Sequence, residues 1–123
     1  MKKILSALTI LGIVFTLTFL SSCEKAYLVP EEQGIENVSY SNDMQPFFDA
    51  KCTNCHNGSG IPLNLTSPGS FDALNNGNYI DTDNPANSEL YTKIMPGESM
   101  SEFASPTERE MTLVWIEEGA NNN

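Results

Sequence analysis

The chain holds one histidine, His56, one tryptophan, Trp115, and one arginine, Arg109. A single imidazole excludes any metal centre built on paired histidines. Cations are scarce and unevenly placed. Beyond position 23 only Lys25, Lys51, Lys93 and Arg109 remain, against all 16 acidic residues, so that stretch carries a formal charge of −12. Such a surface repels phosphate backbones and anionic headgroups, which disfavours nucleic-acid binding and points to basic partners. The same charge also serves plain solubility. The cysteines number three, an odd count that a pure disulfide framework does not use up. Internal repeats, charge blocks and low-complexity tracts are lacking, apart from Asn121-Asn122-Asn123, which reads as a disordered tail over 121–123. At 123 residues there is room for one domain.

What is present begins with an address label. Lys2-Lys3 precedes residues 4–20, a run without charge, Asn, Gln or Pro, followed by Ser21, Ser22 and Cys23. This is the layout of a secretory signal peptide over 1–22. Leu20-Ser21-Ser22-Cys23 resembles the lipobox of bacterial lipoproteins. That resemblance implies cleavage before Cys23 and lipidation of its sulfur, hence a cell-envelope protein anchored to a membrane and facing the periplasm or the cell surface. An uncleaved membrane helix is the rival reading, but 17 apolar residues are at the short limit for a span and no second flank of cations follows. Two or three acyl chains, at about 0.8 kcal/mol per buried methylene, anchor far more firmly than one. The next stretch, residues 24–39, is polar, contains Pro30 and Gly34 and has neither helical nor strand period. With Cys23 it reads as a lipid-anchored flexible tether over 23–39, reaching at most about 55 Å. The folded domain is expected over 40–120.

Cys52-Thr53-Asn54-Cys55-His56 is C-x-x-C-H, the attachment sequence for c-type haem. Two thiols three residues apart on a tight helical turn can each bond one haem vinyl group, and the adjacent His56 is placed under the iron as proximal ligand. Three other readings stand beside this one. A Cys52–Cys55 disulfide suits an exported protein but leaves His56 without a role. Zinc needs a fourth ligand, and no other His or spare Cys exists once Cys23 is acylated. A thioredoxin-like C-x-x-C belongs in a βαβ unit, and none is legible.

Around the motif the pattern is helical. Ser41-Asn42-Asp43 offers caps for a helix carrying Met44, Phe47, Phe48 and Cys52 on one face, with Pro46 tolerable only in the first turn. Asn57-Gly58-Ser59-Gly60 is a loop, and 61–65 is apolar at alternate positions, so it should lie extended along the haem. A weak helix is expected over 70–76, capped by Ser70 and stopped by Gly77, and another over 85–94 with Leu90 and Ile94 on one face. Ser105-Pro106-Thr107-Glu108 is a capping box opening a last helix. That helix has Met111, Val114, Trp115 and Ile116 on its apolar side and ends at Gly119. The fold class is therefore mainly α, three to five short helices and long loops around one haem. Large aliphatic residues are few, so the haem supplies the missing hydrophobic centre and the haem-free chain should be largely unfolded.

Over 40–120 the chain resembles a small monohaem cytochrome c of the class I type: a helix into C-x-x-C-H, a loop, an Ile-Pro-Leu segment, a methionine loop and a last helix with Leu-Val-Trp-Ile-Glu-Glu-Gly-Ala. The resemblance implies that the Pro62 carbonyl accepts a hydrogen bond from the proximal imidazole, fixing the ring and raising its basicity. It also implies a methionine as distal iron ligand. Met100 has the usual distance from the last helix, although Ser101 stands where proline is expected. The alternative, Met95, has Pro96 but sits farther back.

The implied function is transfer of single electrons through one covalent haem c, with redox proteins as partners and no catalytic residue, whether the domain works alone or as a subunit of a larger oxidoreductase. Two alternatives come from other classes. One is a five-coordinate haem sensor or enzyme subunit, against which the lack of a second His or a distal Arg argues. The other is a disulfide-bonded lipoprotein serving as an interaction module without haem.

Overall fold

Pro46 sets the geometry of the first helix, because a proline inside an α-helix lacks an amide donor and its ring crowds the carbonyl four residues back. In the computed structural model, which describes residues 34–123, the chain widens to meet this constraint. Tyr40–Met44 is a π-helical turn in which the Gln45 amide donates to the Tyr40 carbonyl, and Pro46 then falls in the first turn of α1, Gln45–Lys51. The cap lies earlier than the expected Ser41-Asn42-Asp43. Ser39 accepts from the Asn42 amide, and its own amide donates to the Asp43 carboxylate at 2.8 Å.

Among the described residues there are three further α-helices: α2, Ser70–Asn76; α3, Glu89–Ile94; and α4, Pro106–Glu117. Short 3₁₀ turns at Pro85–Asn87 and Ser101–Phe103 complete a mainly helical architecture with no strand among the described residues. None of these helices is long and apolar enough to cross a membrane.

The last helix forms as its local sequence dictates. Ser105 accepts from the Glu108 amide while the Glu108 carboxylate accepts from the Ser105 amide, so both halves of the capping box are made. At the other end Gly119 adopts φ +98°, a left-handed conformation that costs glycine little. The Gly119 amide donates to Ile116 and the Ala120 amide to Trp115, the two closing bonds of a Schellman motif. Ser105→Ala is expected to lower the unfolding free energy by about 1 kcal/mol, read from thermal or denaturant melts of the purified protein.

The core joins the two ends of this unit. Met44, Phe48, Leu74, Trp115 and Ile116 are wholly buried. The Tyr40 ring lies 5.4 Å from Trp115 and 5.1 Å, edge-on, from Phe71, a geometry that aromatic quadrupoles favour. The π turn and α4 thereby pack together.

Several local expectations are corrected. The folded unit begins at Gly34 and not at 40: Val38 is buried, and the Asn37 and Val38 amides donate to the two carboxylate oxygens of Glu118 at 2.6 and 2.9 Å. Residues 34–39 are thus part of the fold and not of a tether. The tail is likewise held, since the Asn123 carbonyl accepts from the Ser41 amide at 2.9 Å and Asn121 accepts from the Trp115 indole at 3.0 Å. Ser70 does not cap α2; the cap position is Gly69, and the Ser70 hydroxyl is buried in other contacts. The helix expected over 85–94 breaks at Ser88, whose hydroxyl accepts from the Asp81 amide at 2.8 Å. Leu90 and Ile94 nevertheless share a buried face. The signal-like segment, Cys23 and the tether up to residue 33 lie outside the described residues.

Candidate functional site

The end of α1 turns directly into the C-x-x-C-H sequence. Cys52 is the C-cap, its amide bonded to Phe48 O, and its own carbonyl accepts from the amides of Cys55 at 3.1 Å and His56 at 2.8 Å. These bonds wind 52–56 into one tight turn. Within it Cys52 is half-buried, Cys55 exposed, both thiols unpaired, and His56 half-buried.

The histidine is oriented by the loop that follows. Its Nδ1 lies 3.1 Å from the Pro62 carbonyl and 3.1 Å from the Leu63 carbonyl. A carbonyl only accepts, so Nδ1 carries a proton and donates. Nε2 makes no hydrogen bond among the described residues. It is therefore the ring nitrogen left for another partner and held in a fixed direction, the arrangement in which a metal-ligating imidazole is oriented by a hydrogen bond from its other nitrogen.

Two features bring those carbonyls into place. The Leu65 amide donates to the His56 carbonyl at 2.8 Å, closing the loop at its base. Leu63 adopts φ +69°, a left-handed conformation that costs a non-glycine residue about 1–2 kcal/mol. The segment 61–65 is accordingly bent, not extended as its alternating pattern suggested: Ile61 is exposed, Leu63 half-buried and Leu65 buried.

Behind the loop base is a buried polar chain. Tyr40 donates to Ser70 at 2.8 Å, Ser70 donates to Gln45 Oε1, and the Gln45 amide group donates to Asp49 at 2.8 Å and to the Leu65 carbonyl at 3.1 Å. Each of the three side chains is satisfied, which makes the chain a rigid support for Leu65. Burial, opposed by the Ser70 bond and aided by the Asp49 and Asp72 carboxylates, leaves the Tyr40 hydroxyl above its ordinary pKa, so it stays a donor at neutral pH.

The electrostatics of Cys52 separate the possible thiol chemistries. Burial, with the Glu108 carboxylate adding to it, pushes the Cys52 thiol up to about 11. A redox-active dithiol needs the opposite, a thiolate stabilised near neutral pH.

The two methionines are placed differently. Met100 is half-buried and packs against the hydrophobic core, as do Cys52, Leu63, Tyr91, Met111 and Val114. Met95 is the C-cap of α3 with extended backbone. The Met100 amide donates to the Lys93 carbonyl at 2.9 Å, closing the segment that carries both sulfurs. Arg109 reaches the same segment from α4, its Nε donating to Ile94 O and its Nη2 to Ser101 O, both at 2.7 Å. Sequence reasoning missed this contact and the Tyr40–Ser70–Gln45 chain. The signal available for the first was that Arg109 is the only arginine, set among acidic residues; for the second there was none, because its members are far apart in sequence.

Among the described residues no group of three or more His, Cys, Asp or Glu side chains converges as a metal cage. An ion held by protein side chains alone thus lacks a ligand set there, whereas an iron that brings four nitrogens of its own needs only one or two protein ligands. Compared with protein-family models, with curated proteins and with solved structures, the chain matches none.

Proposed function

We propose that the chain is an exported, lipid-anchored c-type cytochrome whose domain, of a class I-like fold, carries one covalent haem and transfers single electrons. The observation that carries the reading is the His56 ring: Nδ1–H is committed to the Pro62 and Leu63 carbonyls, on the same turn as the two thiols. That leaves Nε2 as the only ligating atom of the only histidine.

The residues fit a haem in three respects. Cys52 and Cys55 would hold it through thioethers, and burial of Cys52 beside the core suits an attached apolar ring better than it suits a thiolate. His56 and Met100, with Met95 as the alternative, would supply the iron ligands. The half-buried apolar side chains packed on the core, Leu63, Tyr91, Met111 and Val114 among them, offer partly exposed surface that a flat apolar group would cover. When bound, the haem supplies reversible one-electron oxidation of its iron.

The protein's own residues do the remaining work. The two carbonyls hold the imidazole through Nδ1 and so orient Nε2. A methionine ligand in addition to the histidine would raise the reduction potential and would favour electron transfer over binding of small molecules. The excess of acidic residues steers the domain toward partners with basic patches and keeps nucleic acid away. Lipid on Cys23 with the segment after it would keep the domain near membrane-bound partners.

The test is a visible spectrum of full-length protein matured in a host competent for cytochrome c assembly, recorded oxidised and reduced. The expected result is a c-type Soret band that shifts on reduction, with sharp bands at longer wavelength. A colourless protein from that host would refute the reading.

A further inference from the structure

The six residues 95–100, between α3 and the Ser101–Phe103 turn, contain both methionines that the haem reading puts forward as iron ligands. Their middle is exposed, from Pro96 to Ser99, and Gly97 lies at φ +92°. Backbone and short local bonds brace it: the Met100 amide to Lys93 O at 2.9 Å across its base, the Glu98 amide to Met95 O at 3.0 Å, and the Ser101 amide and hydroxyl to Glu98 O at 3.2 and 2.8 Å. A segment with so little burial opens easily unless its ends are tied.

Besides the Met100–Lys93 backbone bond, its ends are tied by one side chain from another helix. Arg109 Nε donates to the Ile94 carbonyl, immediately before the segment, and Arg109 Nη2 donates to the Ser101 carbonyl, immediately after it. Ile94 is the last residue of α3. Its carbonyl has no partner in its own helix and carries part of the negative end of the helix dipole, so a cation is the favoured donor there. The guanidinium presents its donors in a rigid plane and spans both carbonyls at once, which the single ammonium of lysine does not. The N-terminus of α4 is already closed by Ser105 and Glu108, so this contact adds nothing to capping of its own helix. What it fixes is the distance between the two ends of the methionine segment.

We infer that Arg109 is a positioning residue for the axial thioether. By clamping Ile94 O to Ser101 O it keeps the 95–100 segment closed and the Met100 sulfur seated on the side of the core, and so sets how readily an outside ligand displaces that sulfur. This rests on the haem reading above and goes beyond it, because it assigns control of ligand exchange to a side chain outside the proposed thioether and iron ligands.

The experiment compares the matured full-length protein with Arg109→Gln and Arg109→Lys. Each ferric protein is titrated with imidazole, following the Soret shift and the loss of the sulfur-to-iron charge-transfer band, and each is melted thermally. Removing two charge-assisted hydrogen bonds from the closed segment should raise the imidazole affinity of Arg109→Gln by on the order of tenfold or more. The lysine variant, keeping the charge and one donor, should fall between it and the parent, at about threefold. If Arg109→Gln does not mature, the lysine variant alone carries the test. Imidazole affinity unchanged in the variants that mature, whatever happens to their melting temperature, would overturn the proposal and leave the haem reading intact. A parent protein without haem would instead overturn the reading beneath it.

Discussion

Replacing both Cys52 and Cys55 with alanine is expected to give, from a host competent in cytochrome c maturation, a colourless protein that has lost most of its helix signal. The reason lies in how little holds the centre of the domain. From Asn57 to Asn64 no residue is buried, so the loop over His56 is tied down only by the Leu65–His56 backbone bond at its base and by the His56 Nδ1 contacts. Several apolar side chains packed on the core, Cys52, Leu63, Met100, Met111 and Val114 among them, are only partly buried. A domain of this size has few kcal/mol to spare. Covalent haem would add the missing apolar surface and tie the loop to α4. Far-UV circular dichroism and intact mass check this; full native helicity in the colourless double variant would show that the fold is complete without the cofactor.

Met100→Ala is expected to have the second largest effect: loss of the sulfur-to-iron charge-transfer band of the oxidised protein and a fall in reduction potential on the order of 100 mV. Met95→Ala should leave both nearly unchanged. Both methionines are half-buried, so the distinction follows from backbone anchoring and packing on the core. The Met100 amide is anchored to Lys93 O and its side chain lies on the core, whereas Met95 ends α3 as its cap. Optical spectra and potentiometry of the two variants decide the matter, and the opposite pattern would transfer the role to Met95.

Sequence legibility follows the range of the interactions concerned. The last helix was readable because its stop and start signals are local: the Ser105–Glu108 capping box and the Gly119 turn involve residues three or four apart. The span of α2 was readable for the same reason, Gly77 marking its end. Its cap was not, because the Ser70 hydroxyl is drawn into bonds with Gln45 and Tyr40, 25 and 30 residues away. Ser88 broke the 85–94 helix through a bond to Asp81 that no helical pattern announces.

The ends of the domain were misjudged on composition. Residues 34–39 look like a linker, yet Glu118, some 80 positions later, accepts two of their amides. The Asn-rich tail looks disordered, yet its carbonyls meet the Ser41 amide and the Trp115 indole. In both cases the backbone groups of a polar stretch find partners far away in sequence, which composition does not reveal.

The candidate site shows the same division. Cys52, Cys55 and His56 lie within five residues, so spacing alone places them on one turn. The bend at Leu63, which brings a second carbonyl to Nδ1, depends on a left-handed residue that alternation of apolar positions does not reveal. The Arg109 clamp needs α3, α4 and the turn at Ser101 to be assembled before it exists.

Intact mass spectrometry of the matured protein, followed by peptide mapping across 52–56, reaches the central claim most directly. The account predicts a polypeptide beginning at Cys23, carrying lipid there and one haem bonded through the sulfurs at 52 and 55. A mass equal to polypeptide plus lipid alone, with both thiols free or joined to each other, would contradict it.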